Sequence, residues 1–137
     1  MMGTARSLDE DVRDVVEKRI GEICDGIAKT YGGSANVNYE RFYPVLINDV
    51  DFTSKVRNVV SDLFPEDVFE MQKPVMGGED MAFYQQEVPG CFMFLSNIKA
   101  HSDGVCYPNH NSKFDLDESL FYKAVATFVA TAFEGLK

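Results

Sequence analysis

Six aliphatic residues, Val12, Val15, Val16, Ile20, Ile23 and Ile27, recur at steps of three and four, which predicts an amphipathic helix over about Leu8 to Ala28. A helix with such a stripe has to lay it on an apolar partner, and covering a sheet is the simplest role. Ser7 and Glu10 stand at capping-box spacing ahead of the stripe, and "TYGGS", Thr30 to Ser34, supplies the stop. Beyond it the period changes. Ala35, Val37 and Tyr39 alternate with Asn36, Asn38 and Glu40, the pattern of a half-exposed strand that ends near Pro44.

The rest of the chain repeats this exchange between helix and strand. Asn48 and Asp49 can cap a second helix whose inner stripe is Phe52, Val56, Val59, Val60 and Leu63, and Pro65 bars its continuation. Val68 to Lys73 reads as a short strand, "DMAFYQQ" as two helical turns begun by Asp80, and "CFMFL", Cys91 to Leu95, as a strand buried on both faces. Ser96 to Lys113 is polar, broken by Gly104 and Pro108, and long for a passive connection, so it is a candidate functional loop. A last helix follows. Leu120, Phe121, Ala124, Val125, Phe128, Val129, Ala132 and Phe133 share its apolar face, and "DLDE" puts acids at its positive end.

Composition removes several function classes. The 137 residues are 45% hydrophobic and 26% charged, a globular balance, and no stretch reaches the ~18 consecutive apolar residues of a membrane span. The formal charge of -9, with no basic cluster, repels phosphate backbones and argues against nucleic acid. Cys24, Cys91 and Cys106 are odd in number and far apart, which fits neither a disulfide framework nor a zinc knuckle and points to a reducing, cytoplasmic setting. The opening "MMGTARSLDED" lacks the apolar segment of a secretory signal, and "MMGTAR" reads as the tail of a strand whose earlier part has no counterpart here.

Two stretches carry chemistry. In "PVMGGEDMAFYQQEVPG" the pair Gly77 and Gly78 permits close approach of the backbone to a ligand, Asp80 reads as a helix cap that shapes the loop, and Glu79 as a polar group aimed at the site or a neighbouring loop. Alone, such a tetrapeptide is an ordinary turn into a helix. In "YPNHNSKFDLDESL", His110 lies between asparagines just ahead of an acid-rich helix start, where an imidazole can ligate a metal or simply be solvated. His101 fits the solvated reading better. Asp115, Asp117 and Glu118 are accounted for as complements to the helix dipole.

Taken together and in this order, "GTAR", "YPVLIND", "MGGEDMAFYQQEVPGCFMFL" and "HNSKFDLDESL" resemble the C-terminal part of the metal-dependent amidohydrolases that include hippurate hydrolase, N-acyl-amino-acid amidohydrolase and the auxin-conjugate hydrolases, relatives of aminoacylase and carboxypeptidase G. The resemblance covers essentially the whole chain. It implies an α/β class, α+β in the first part: residues 1–43 as the end of a βαββαβ lid that also forms a homodimer contact, and 44–137 as the returning part of a zinc-peptidase-like α/β catalytic domain. It also implies two divalent ions, zinc, manganese or cobalt, and an N-acyl amino acid as substrate. Residue by residue, His110 matches the family's last metal ligand, Gly77, Gly78, Glu79 and Asp80 its active-site loop, and Arg6 and Asn48 positions near the lid edge that would face substrate.

The family's other ligands, its general-base Glu and the His that steadies the oxyanion lie ahead of the matched region. The chain alone is therefore expected to be inactive, since a catalytic zinc takes about three protein ligands. The competing expectation is a stand-alone, non-catalytic domain that binds a small acid or a partner. Aggregation or self-association through apolar helix faces would speak for the enzyme portion, and a monomer that melts cooperatively for the stand-alone domain.

Overall fold

The computed structural model describes residues 1–68, 73–96 and 98–135, which divide into two compact units. One unit comprises Met1–Ile47 with the described part of Met71–Pro89, the other the described parts of Asn48–Glu70 and Gly90–Lys137. Among the described residues four α-helices carry them.

In the first unit α1 runs over Glu10–Thr30. Its cap is Asp9 rather than Ser7: the Asp9 carboxylate accepts from the Val12 amide at 2.9 Å, and the Ser7 hydroxyl donates instead to the Asp9 carbonyl at 2.7 Å. An aspartate in extended backbone one turn before Val12 reaches the free amide and brings negative charge to the helix's positive end, so it displaces the serine. At the other end Gly32, with φ of 73°, takes the left-handed turn that lets Gly33 donate to the Ala28 carbonyl at 2.9 Å.

What holds α1 is its polar stripe. Arg41 pairs with Asp14 and Glu17, the Val45 amide donates to Glu10 at 3.2 Å, and Arg13 donates to the Tyr43 carbonyl at 3.2 Å. Glu10, Arg13, Asp14 and Glu17 repeat at helical spacing, and the returning chain runs along that side. The aliphatic stripe is open, with Val12 51% and Ile27 58% exposed. The expectation that this helix covers a sheet is not met among the described residues.

A short helix, α3, spans Met81–Glu87 in the same unit and buries Ala82. Phe83 of α3 meets the Tyr43 ring edge-on at 6.0 Å between centroids.

The second unit is built on α2, Val50–Leu63, packed against α4, Phe121–Gly135. Asp49 caps α2 through the Phe52 amide at 2.7 Å, as its position promised, and the helix ends at Phe64 just before Pro65. Val56 of α2 and Thr127 of α4 are buried, and Phe64 meets Tyr122 edge-on at 6.0 Å. Lys123 adds a 2.6 Å ion pair with Asp67 and lies over the Phe64 ring. A 3₁₀ turn, Glu118–Leu120, leads into α4, with the Asp117 carboxylate accepting from the Ser119 amide and hydroxyl.

The expected strands differ. Ala35 to Tyr39 and Cys91 to Leu95 form no ladder among the described residues, because a strand exists only where a neighbouring backbone takes up its N–H and C=O groups. Val68 to Lys73 falls largely outside the described residues. Among the described residues antiparallel pairing is seen at two isolated bridges, Ile98 with Leu116 and Ala100 with Cys106. No helix among the described residues is long and apolar enough to cross a membrane.

The molecule has an accessible surface of 11023 Å². Two independent globules, each of half the chain's mass, would expose about 8,700 Å² together, so more than about 2,000 Å² is in excess even for separate units. Much of it is apolar: Val125, Phe128 and Phe133 on α4 are 62%, 71% and 68% exposed.

Candidate functional site

The residues expected to face substrate or metal fall in both units: Arg6 and Gly77 to Asp80 in the first, Asn48 and His110 in the second.

In the first unit the structure joins Arg6 to the glycine loop. The Arg6 guanidinium donates to the Met76 carbonyl at 2.9 Å, one residue ahead of the glycines. The two glycines are not equivalent. A Cβ on Gly78 would stand 3.0 Å from the Tyr43 ring and 3.7 Å from the Arg6 guanidinium, whereas one on Gly77 would meet nothing within 4 Å. The close approach of Tyr43 crowds the second glycine and not the first, a difference set by a contact 35 residues away in sequence (78 − 43).

Asp80 needs a correction. It precedes α3 as expected, but its backbone is already helical, with φ of -69° and ψ of -21°, and its side chain makes no capping bond. A cap requires extended backbone to bring the carboxylate back over the first amides. The turn is held by main chain instead, Ala82 donating to the Glu79 carbonyl and Phe83 to that of Asp80. Glu79 itself is half-buried.

Asn48 is committed to backbone. Its amide nitrogen donates to the Phe92 carbonyl at 2.9 Å and its amide oxygen accepts from the Phe92 N–H at 2.7 Å, while the Asp49 N–H donates to the Gly90 carbonyl at 2.9 Å. One side chain thus pairs with Phe92 as a neighbouring strand would. It fixes the start of α2 to the segment that sequence pattern assigned to a strand.

His110 lies in the loop closed by the Ile98–Leu116 bridge, beyond the smaller turn closed by Ala100–Cys106. It is exposed, and its φ of 68° is the only positive value for a non-glycine residue among those described. Asp103, Tyr107 and Lys113 surround it in sequence and interact with one another, which the polar composition of the loop did not reveal. The Asp-Gly pair at 103–104 was the available hint, since it marks a tight turn. The Tyr107 hydroxyl, followed by the Val105 amide, holds the Asp103 carboxyl below its ordinary value of 3.8. Because the folded carboxyl is the stronger acid, the unfolded chain takes up the proton first on acidification. The contribution to loop order should be full above about pH 4 and fade as pH falls through the lowered value, which the Tyr107 ring resonances of an acid titration would track.

The donor set for a metal is incomplete: among the described residues no group of three or more His, Cys, Asp or Glu side chains could hold an ion. His110 by itself offers one nitrogen, fewer than the roughly three protein ligands a catalytic zinc takes.

A protein-family model described as peptidase family M20/M25/M40 matches residues 4–134. Among known proteins, the chain is 34% identical over 132 residues to a Bacillus subtilis protein named as an amidohydrolase, covering 96% of this chain and 33% of that protein. It is 36% identical over 121 residues to thermostable carboxypeptidase 2 of Saccharolobus solfataricus, 88% and 30% of the two chains. With hippurate hydrolase of Campylobacter jejuni it shares 30% identity over 138 aligned positions, 98% and 34%. The chain thus spans about a third of the length of the curated relatives it matches. No solved structure matches it.

Proposed function

Because the chain belongs to peptidase family M20/M25/M40, whose members act as hydrolases on amide or peptide bonds, we propose that it is the C-terminal portion of a metal-dependent amidohydrolase that cleaves N-acyl amino acids to a carboxylic acid and a free amino acid. The observation that carries this reading is a family match from residue 4 to 134 by a chain one third as long as its relatives. The name of one relative, hippurate hydrolase, supports the substrate class, hippurate being an N-acyl amino acid. The excess apolar surface supports incompleteness, since open faces such as that of α4 are what a domain shows when elements that normally cover it lie elsewhere.

In this reading 1–43 ends a lid that also makes a homodimer contact, and 44–137 belongs to the catalytic domain. Divalent zinc, manganese or cobalt would supply Lewis-acid chemistry when bound, with His110 giving one nitrogen and the other donors coming from elsewhere in the polypeptide. Arg6, Gly77, Gly78, Glu79 and Asp80 would shape the pocket. Asn48 would contribute by holding the start of α2 to Phe92. A cytoplasmic setting, with the three cysteines as thiols, belongs to the same proposal.

The test is hydrolysis by the 137-residue protein itself, incubated with hippurate and with each of the three ions. No glycine above the buffer blank is expected, because one imidazole leaves the ion without enough ligands to be held and activated. Release of glycine that chelator abolishes would overturn the claim that the catalytic centre needs further chain. The stand-alone binding domain would be favoured by a monomer whose apolar helix faces bind no hydrophobic dye.

A further inference from the structure

The loop that carries His110 is tied together at one carboxylate. Asp103 Oδ2 accepts from the Tyr107 hydroxyl at 2.9 Å and from the Lys113 ammonium at 3.2 Å, and Oδ1 accepts from the Val105 amide at 3.1 Å. Tyr107 lies three residues before His110 and Lys113 three after it. The chain from 103 to 113 is therefore closed into a ring with His110 at its far side. The ring is braced: Lys113 Nζ is 3.3 Å from the Tyr107 oxygen and 5.1 Å from the centre of its ring, whose face the His101 imidazole meets edge-on at 5.8 Å. Inside it, Asn111 donates to the Pro108 carbonyl at 3.2 Å and accepts through its own side chain from the Lys113 amide at 2.9 Å.

Such bracing answers a need visible at His110. A residue with a Cβ held at φ of 68° is in unfavourable backbone, and that conformation persists only where surrounding contacts over-determine it. We propose that Asp103 is a positioning residue for His110, the single acceptor that gathers donors from both flanks and so fixes the backbone that presents the imidazole. A carboxylate suits the task because its two oxygens can take three donors at once, which a hydroxyl or a lone carbonyl cannot match. An imidazole presented this way has lost its loop freedom before it meets a ligand, so that cost does not subtract from binding. The inference rests on the reading that His110 serves the complete enzyme, but the positioning is a property of this chain and is measurable without metal or substrate.

The test is NMR on the isotopically labelled 137-residue protein and its D103A and D103N variants. Wild type should show the strong intraresidue amide-to-Hα contact of positive φ at His110 and backbone order parameters near ~0.85 through the ring. In D103A those of residues 104–113 should fall below about 0.6 and the His110 contact should weaken, with the amides of α2 and α4 unmoved. D103N keeps the side chain's size and the Oδ1 acceptor for Val105, but it puts an NH2, which cannot accept, where Tyr107 and Lys113 donate, so it should loosen the loop much as D103A does, an effect that a general loss of packing would not give. If D103A leaves His110 rigid and at positive φ, the proposal fails. Should D103A disturb the whole unit, the Y107F/K113M double variant decides: local loss with intact helices upholds the assignment, and an unchanged loop overturns it. Hydrolysis enters neither measurement, so failure here is separable from failure of the amidohydrolase reading.

Discussion

Val56→Asp is expected to lower the unfolding free energy of the α2–α4 unit by about 4 kcal/mol, close to all that a small unit can hold. Val56 is 3% exposed, and a carboxylate there would lose its water. Val125→Asp, the same change on the other helix of the pair at a site 62% exposed, is expected to alter stability by no more than about 0.5 kcal/mol. Urea denaturation followed by far-ultraviolet circular dichroism compares the two directly. Equal losses would mean that the apolar face of α4 is covered in solution, by a second copy or otherwise. An unharmed Val56→Asp would mean that the helix pair does not pack as described.

The second large effect is at Asn48. Asn48→Asp keeps the oxygen that accepts from the Phe92 N–H but replaces the amide nitrogen with another oxygen, now 2.9 Å from the Phe92 carbonyl. An acceptor would face an acceptor in a partly buried place, at a cost of about 2 kcal/mol. Asn48→Ala removes both bonds and should cost about as much, because both Phe92 groups then lose their partner. The comparison also separates roles. A side chain whose work is to touch substrate would leave the melting temperature unchanged when replaced, whereas the backbone pairing predicts a drop of several degrees for a unit of this size.

Local features were legible in the sequence, and contacts between distant segments were not. The periods of Val12 to Ile27 and of Phe121 to Phe133, the Asp49 cap and the Pro65 stop are set by neighbours within one helical turn, and the helices stand where those signals put them. Asp9 replaced Ser7 as a cap within two residues, a competition between two good acceptors that spacing alone does not decide. Which side of α1 is held was not legible, because Arg41 reaches Asp14 and Glu17 from 27 and 24 residues away. For the same reason the Asn48 pairing was not legible: nothing local points an amide at the Phe92 backbone 44 residues on. Of the candidate site, the Gly-Gly turn and the loop carrying His110 were found, while Tyr43 and Asp103, which explain their shapes, were not.

The left-handed backbone at His110 sets stability against side-chain identity at one position. Glycine enters that region without the crowding a Cβ brings, so exchanging the imidazole for hydrogen would relieve the loop. Any selection for thermal tolerance alone, as in a laboratory library, would favour glycine over histidine there. A histidine retained at this position is therefore held against its own backbone preference, by something other than the stability of the loop.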